Sequence, residues 1–343
     1  MEFWERIATS DAPIVIYGTG NGADMFLDEA EARGIRVNGC FASDLFVRSR
    51  TFRGFKVLSY SDARHIFGKM FVVLCFGTHD PLVIANIQRI AQENELYMPD
   101  LVRDDEANLF DLKYCQKHKE EIEFAYSLLS DDISRKSFKS IIDYRITGDI
   151  SYLLEDQVDD ISAWKELSYE QDEVFVDCGA YNGDTISRFR SIVSSYEAIY
   201  GIEPDRKTFK KLERATEGLD NLKLCNAFVS DYVGSIPFVS GKGRGSTYSA
   251  TGELIDVVTV DSILKGSRAT LIKYDTEGFE IEALKGSYET ISNYKPKLIV
   301  SAYHKIQDIF TLPRQIYEMR QDYTFKLRKS KSIPYWDSCY YIY

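Results

Sequence analysis

The sequence predicts an α/β protein with two parallel-sheet units, a smaller one at the N-terminus and a larger one at the C-terminus, joined by a helical connector. Three observations predict it. Short apolar runs that end in a glycine turn or an acid recur at 14–17, 71–76, 174–176, 198–202 and 271–274, with helix-like stretches between them. Between the two sets, 105–165 alternates charged residues with Leu112, Ile122, Phe124, Leu128, Leu129, Phe138, Ile141 and Ile142, and has no glycine before Gly148. The chain then finishes on two aromatic strand-like segments, 323–328 and 335–343, with no helix after them. Strand, turn, helix, strand order implies right-handed crossovers and a parallel sheet. A final strand pair implies an antiparallel hairpin that closes the second sheet.

In the N-terminal unit, expected over 1–104, Ile14-Val15-Ile16-Tyr17 runs into Gly18-Thr19-Gly20-Asn21-Gly22-Ala23. A helix carrying Met25, Phe26, Ala30 and Ala32 follows, then a strand at 35–41, a helix at 61–67 and the apolar strand 71–76. This is a Rossmann-like pattern. Its G-x-G-x-x-A turn, with Asp44 after the second strand, is a low-specificity dinucleotide signal. His79 and Asp80 lie at the mouth of this unit without an assigned role. The connector, 105–170, breaks at Ser130-Asp131-Asp132 and at Thr147-Gly148-Asp149, where helix-stopping residues cluster.

The C-terminal unit, 171–343, opens with Val174-Phe175-Val176 ending in Asp177. Strands at 198–202, 222–229, 271–274 and 298–302 follow, with a β-rich stretch at 235–260, a helix over 279–291 and another near 313–319. Fifty-three acidic against forty-two basic side chains leave a net charge of −11. That charge repels phosphate backbones and anionic membranes, which argues against a general nucleic-acid binder. No apolar run approaches the length of a membrane span, and the N-terminus lacks a secretory signal. Six scattered cysteines without a CxxC pair suit a reducing, cytoplasmic setting. Four histidines with no ligand-like spacing argue against a zinc site, so no metal is expected.

In an open parallel sheet, ligands bind outside the carboxyl ends of the strands where the strand order reverses. Asp177, Glu203 and Asp275 stand at such ends. The first turn reads Asp177-Cys178-Gly179-Ala180-Tyr181-Asn182-Gly183-Asp184-Thr185. An acid ahead of the first glycine opposes a pyrophosphate at the helix N-terminus and favours a cationic ammonium. A nucleoside with a charged amino-acid tail fits, and S-adenosyl-L-methionine is the candidate. Glu203, 24 residues after Gly179, is placed to accept ribose hydroxyls, a spacing that NAD sites share; it could instead cap the helix after Pro204. Asn226 and Ala227 would meet the adenine edge or sit in a solvated loop.

Asp275 and Glu277 either line the site or cap the next helix, with Gly278 allowing the turn. His304, after the following strand, is either a hydrogen-bonded structural residue or the base that takes the acceptor's proton, with Asp275 as second choice. The stretch Ser240-Gly241-Lys242-Gly243-Arg244-Gly245-Ser246-Thr247 is a basic glycine loop, either a solvated hairpin tip or a grip on an anionic acceptor.

Several motifs in order resemble the FkbM family of S-adenosylmethionine-dependent methyltransferases. They are 130–135 (Ser-Asp-Asp-Ile-Ser-Arg), 143–149, 176–185, Ile202-Glu203-Pro204-Asp205, Asp275-Thr276-Glu277-Gly278-Phe279-Glu280, Leu284-Lys285-Gly286, and 295–305. The resemblance covers roughly 105–343. It implies a class I methyltransferase Rossmann-like sheet and O-methylation of a saccharide or polyketide hydroxyl, on a free, nucleotide-linked or lipid-linked acceptor. It places Asp177, Gly179 and Glu203 on the cofactor, and Asp275, Glu277 and His304 at the mouth. Asn226 stands where many class I methyltransferases have an acid, and the tail 329–334 departs from the expected hairpin turn. The N-terminal unit resembles domains of sugar acyltransferases, which implies a nucleotide sugar as readily as NAD. Two alternatives stay open: a nicotinamide-dependent oxidoreductase using the N-terminal turn, and a non-catalytic scaffold in glycan assembly. A homo-oligomer is also open.

Overall fold

The computed structural model describes residues 1–43, 51–239, 247–248 and 252–343. Asp44, and Lys242 and Arg244 of the basic loop, lie outside the described residues. The chain divides into two compact units. The first takes 1–119, 136–157 and 329–336; the second takes 120–135, 158–328 and 337–343. The helices of the expected connector, among them Lys119–Leu128 and Asp132–Thr147, are therefore apportioned to both bodies.

The first unit holds a six-stranded sheet in the order Thr51–Phe52, Phe55–Ser59, Gly39–Ala42, Ile14–Tyr17, Phe71–Leu74, Glu95–Tyr97. All pairs are parallel except the small hairpin Thr51–Phe52/Phe55–Ser59. The strand expected at 35–41 is confined to Gly39–Ala42, because the amide of Ile35 still bonds back to the carbonyl of Ala30. Phe3, Ile16, Phe26 and Phe71 pack in the core. A buried ion pair crosses this unit: Arg145 Nε lies 2.6 Å from Asp100 Oδ2, and the guanidinium sits 3.9 Å from the Phe110 ring centre. The segment 329–336 also belongs here. Ile333 pairs with Thr78, and Lys329 donates to Ser140 and to the carbonyl of Tyr152. That accounts for the unusual tail: the turn of the final hairpin is a long excursion into the first unit's own packing.

The second unit holds a seven-stranded sheet in the order Phe325–Arg328, Cys339–Ile342, Lys297–Ser301, Leu271–Tyr274, Glu173–Cys178, Tyr196–Ile202, Leu222–Cys225. The five interior and early strands run parallel, and Cys339–Ile342 pairs antiparallel on both sides. The predicted closing hairpin is thus present. Strand order reverses on either side of Glu173–Cys178, whose neighbours are Leu271–Tyr274 and Tyr196–Ile202. Every residue of Glu173–Cys178 is buried, as expected of a central parallel strand.

Two expected elements are broken. The strand expected at 222–229 splits into Leu222–Cys225 in the main sheet and Ala227–Val229 in a separate four-stranded sheet with Gly234–Val239, Thr247–Tyr248 and Glu253–Val258. The helix expected over 279–291 is two, Glu280–Lys285 and Tyr288–Tyr294. The break falls at Gly286, where a side chain would collide with the carbonyl of Ser230. The last helix starts earlier than expected and spans Asp308–Met319 with Pro313 inside it.

Arg328 ties the second unit's hairpin to its helices. Its Nη2 lies 2.6 Å from both Asp131 Oδ2 and Glu166 Oε2. Burial opposes the charge on Asp131, yet Arg328 and Ser134 hold its carboxyl well below the usual range. A depressed carboxylate contributes stability above its unfolded pKa and loses it as pH falls through the folded one. Unfolding free energy measured from pH 7 downward is therefore expected to drop below about pH 4, and Arg328→Gln to flatten that dependence.

Candidate active site

The carboxyl ends of the second unit's strands open into a cavity whose empty space, open mouth included, is about 930 Å³. Gly179, Glu203, Lys273 and Asp275 form its polar end, and Phe228, Val229, Phe238 and Phe279 an apolar wall. Phe228 and Phe279 meet edge-to-face at 4.7 Å.

Two strand-end turns shape it. Gly179 has φ +86°, and its amide and that of Ala180 both bond to the carbonyl of Ile202. A Cβ at Gly179 would overlap the carbonyl oxygen of Asp275, so only glycine lets the turns after Glu173–Cys178 and Leu271–Tyr274 pass so closely. Tyr181 (φ 45°) and Glu277 (φ 55°), one on each turn, hold left-handed conformations at the cavity wall. Such strain persists where surrounding packing over-determines it.

Glu203 ends the second strand on the cavity wall with 7% exposure. Its Oε2 accepts from the amide of Tyr181 at 3.1 Å and its Oε1 from the amide of Asp205 at 2.8 Å. Burial pushes its pKa up to about 7 against those two amides. The helix after it is capped by Asp205, which accepts from the amides of Lys207 and Thr208; Glu203 is thereby left to face the cavity. Asn226 does not meet the cavity. Its Nδ2 donates to the carbonyls of Glu203 (2.8 Å) and Pro204 (3.0 Å), which fixes the Glu203 loop and explains why the strand breaks there.

Asp177 is fully buried and lies behind the wall, 3.5 Å from Lys273 Nζ. Burial lifts its pKa to about 7 despite that lysine. Lys273 itself faces the cavity, 3.2 Å from Asp275 Oδ2 and 3.4 Å from the carbonyl of Gly179. Burial disfavours its charge, but Asp275 and Asp177 raise its pKa above the ordinary lysine value. Asp275 also accepts from Ser301 (3.1 Å) and Tyr303 (3.2 Å) on Oδ1. Burial opposes its charge as well, and Lys273 with His304 keeps its carboxyl well below the usual range.

His304 is 8% exposed and stands behind Asp275 and Glu277. Its Nδ1 lies 2.9 Å from Oε1 of Glu280, a carboxylate 1% exposed that also accepts from the amide of Thr276 at 2.7 Å. Burial alone would lower the His304 pKa, but Glu280, Asp275 and Glu277 raise it to about 9. The ring therefore carries a proton at neutral pH, the opposite of what a resting base needs.

Of the residues the sequence picks out, Gly179, Tyr181, Asp184, Thr185, Glu203, Pro204, Asp275 and Glu277 line the cavity. Asp177, Ala180, Gly183, Asn226, Ala227 and His304 are not on its wall. Lys273, Glu280 and the pair Phe228/Phe238 were not singled out. A lysine inside the apolar run Leu271-Ile272-Lys273-Tyr274 is a legible signal, since a buried cation demands an anionic partner. Phe238 carries no such signal, because only the small sheet brings it to the cavity.

Residues 177–327 match the family model described as the methyltransferase FkbM domain. This stretch of the second unit is similar to that family's methyltransferase domain. The match begins at Asp177 and spans every strand end that forms the cavity. A methyltransferase FkbM from Methylobacillus flagellatus KT shares the fold over 99% of this chain and 92% of its own, with 21% identity and a TM-score of 0.75. Fibrillarin in its complex with Nop5p is similar over 54% of this chain and 79% of its own, at 20% identity and a TM-score of 0.35. Aeropyrum pernix fibrillarin, solved with natively bound S-adenosyl-L-methionine, is similar over 50% and 66%, at 10% identity and a TM-score of 0.31. No curated protein matches the chain. Among the described residues no helix is long and apolar enough to cross a membrane.

In the first unit, Phe76 lies over the Gly18 turn, its Cδ1 2.8 Å from where a Cβ of Gly18 would stand. The backbone that a diphosphate would approach in a dinucleotide site is thus in contact with an aromatic ring.

Proposed function

We propose that the second unit transfers the methyl group of S-adenosyl-L-methionine to a hydroxyl of a saccharide or secondary-metabolite acceptor. The observation that carries the reading is Glu203: a carboxylate at the end of the second strand, braced by two amides and turned to the cavity, suits the two ribose hydroxyls of the donor. Phe228 and Phe238 offer the adenine an apolar wall. The donor's ammonium group would meet the carbonyl of Gly179 and Asp275, its carboxylate Lys273. Asp177 is assigned an indirect part, holding Lys273 in place from behind the wall.

The acceptor oxygen attacks the methyl in line; the new C–O bond forms as the C–S bond breaks and sulfur keeps its electron pair. Orientation of the three atoms supplies most of the rate, by about 7–11 kcal/mol. The hydroxyl proton leaves at the mouth, which Asp275 and Glu277 line; His304, already protonated at neutral pH, is not its acceptor.

Methyl-labelled S-adenosyl-L-methionine incubated with sugar and polyketide hydroxyl acceptors is expected to give a labelled methyl ether. Donor binding with no labelled ether from any hydroxyl acceptor would contradict O-methylation. Since Glu203 must be ionised to accept both hydroxyls and its pKa is raised to about 7, donor affinity is expected to fall as pH drops through 7. Glu203→Gln should weaken binding roughly 10–100-fold and remove that pH dependence, both readable by calorimetry.

A further inference from the structure

Asp275, Glu280 and His304 bring donor atoms within 4.8 Å of one another; Glu277, on the turn after Asp275, lies outside that set and approaches His304. His304 Nε2 is 3.5 Å from Asp275 Oδ1 and 3.6 Å from Glu277 Oε2. These separations are too long for good hydrogen bonds. They suit neighbouring ligands on one ion, since donors about 2.1–2.3 Å from a shared centre lie roughly 3.0–3.7 Å apart.

The ring nitrogen itself is the second observation. His304 is more than nine-tenths buried, and Nε2 has no hydrogen-bond partner although it is aimed at the two carboxylates. Its other nitrogen is committed to Glu280, whose own position is fixed by the Thr276 amide and hydroxyl. A buried carboxylate on one imidazole nitrogen is the usual way of presenting the other to a metal. Asp275 is likewise oriented by Ser301 and Tyr303. Glu277 has a side chain 45% exposed and can complete the set by rotation.

We propose that His304 Nε2, Asp275 and Glu277 hold a divalent cation at the mouth of the donor cavity, with Glu280 as a positioning residue for the imidazole. Two carboxylates and one imidazole suit a hard, oxygen-preferring ion of the Mn²⁺ or Mg²⁺ class. Asp275 and Glu277 both line the cavity, so the ion's remaining positions face an entering acceptor. A hydroxyl oxygen bound there gives up its proton to solvent more readily. That use of the ion rests on the proposed methyl transfer; the ion site itself does not.

The test is Mn²⁺ alone, followed by electron paramagnetic resonance on the full chain after chelator treatment, with no donor or acceptor present. One Mn²⁺ per chain is expected. Binding should be lost in His304→Ala and at least tenfold weaker in Glu277→Gln, with circular dichroism and thermal unfolding reporting that each variant retains its fold. Mg²⁺ should compete for the same site. Absence of bound Mn²⁺ in the wild-type chain, or binding undiminished in both variants, would overturn the site. Failure of Mn²⁺ binding with donor binding intact leaves methyl transfer standing, and the converse leaves the ion site standing.

Discussion

Gly179→Ala is expected to abolish binding of S-adenosylhomocysteine and to destabilise the second unit by roughly 2–5 kcal/mol. Two separate costs add here. A left-handed conformation at a non-glycine residue costs about 1–2 kcal/mol, and forcing extra volume into a packed site about 1–3 kcal/mol. The atom in the way is the carbonyl oxygen of Asp275, which is backbone and cannot rotate aside. Relief requires the two strand-end turns to part, and those turns carry Tyr181 on one side and Asp275 with Glu277 on the other. The loss of binding should therefore exceed what stability alone explains. Calorimetry on folded protein, paired with denaturant unfolding, checks it. A Gly179→Ala chain that binds the ligand normally would show that the cavity is shaped elsewhere.

Asp100→Asn is expected to cost the first unit about 3–5 kcal/mol, the penalty for leaving one member of a buried pair without its counter-charge. Arg145 and Asp100 have side chains only 1% and 4% exposed, and burial opposes the Arg145 charge that Tyr335, Asp100 and Tyr114 sustain. In thermal unfolding this corresponds to a loss of roughly 6–20 °C in the unit's transition. Replacing both partners with apolar residues, as Arg145→Met with Asp100→Leu, should recover most of it, because the uncompensated charge is then gone. Equal losses in the single and double variants would mean that packing, not charge, sets the cost.

Much of this architecture was legible because it follows from local pattern. Buried parallel strands read as unbroken apolar runs, and Val174-Phe175-Val176 and Leu271-Ile272 lie where the pattern puts them. The terminal hairpin was legible for the same reason, from two aromatic segments without a following helix. What failed depended on contacts distant in sequence. Asn226 looks like a continuation of its strand; only the carbonyls of Glu203 and Pro204 reveal why the strand stops there. Gly286 looks like a tolerated helix glycine until Ser230 is seen against it.

The candidate site divides the same way. Glu203, Asp275 and Gly179 follow from the rule that ligands sit beyond strand ends. Asp177 obeys the same rule and yet lies behind the wall, because the side chain of its neighbour Lys273 on the adjacent strand reaches the cavity in front of it. Glu280 was hidden inside a motif, its role visible only once His304 arrives from the next strand end. Asp275, Glu277 and His304 are separated by a helical stretch and a strand, so no spacing in the sequence marks them as a ligand set.

The measurement that bears most directly on the donor site is a calorimetric titration of the wild-type chain with S-adenosylhomocysteine and, separately, with NADH. Saturable 1:1 binding of S-adenosylhomocysteine, weakened by Glu203→Gln, with no comparable heat from NADH, is the predicted result. Tight binding of NADH together with indifference to S-adenosylhomocysteine would contradict the assignment of the cavity to a methyl donor.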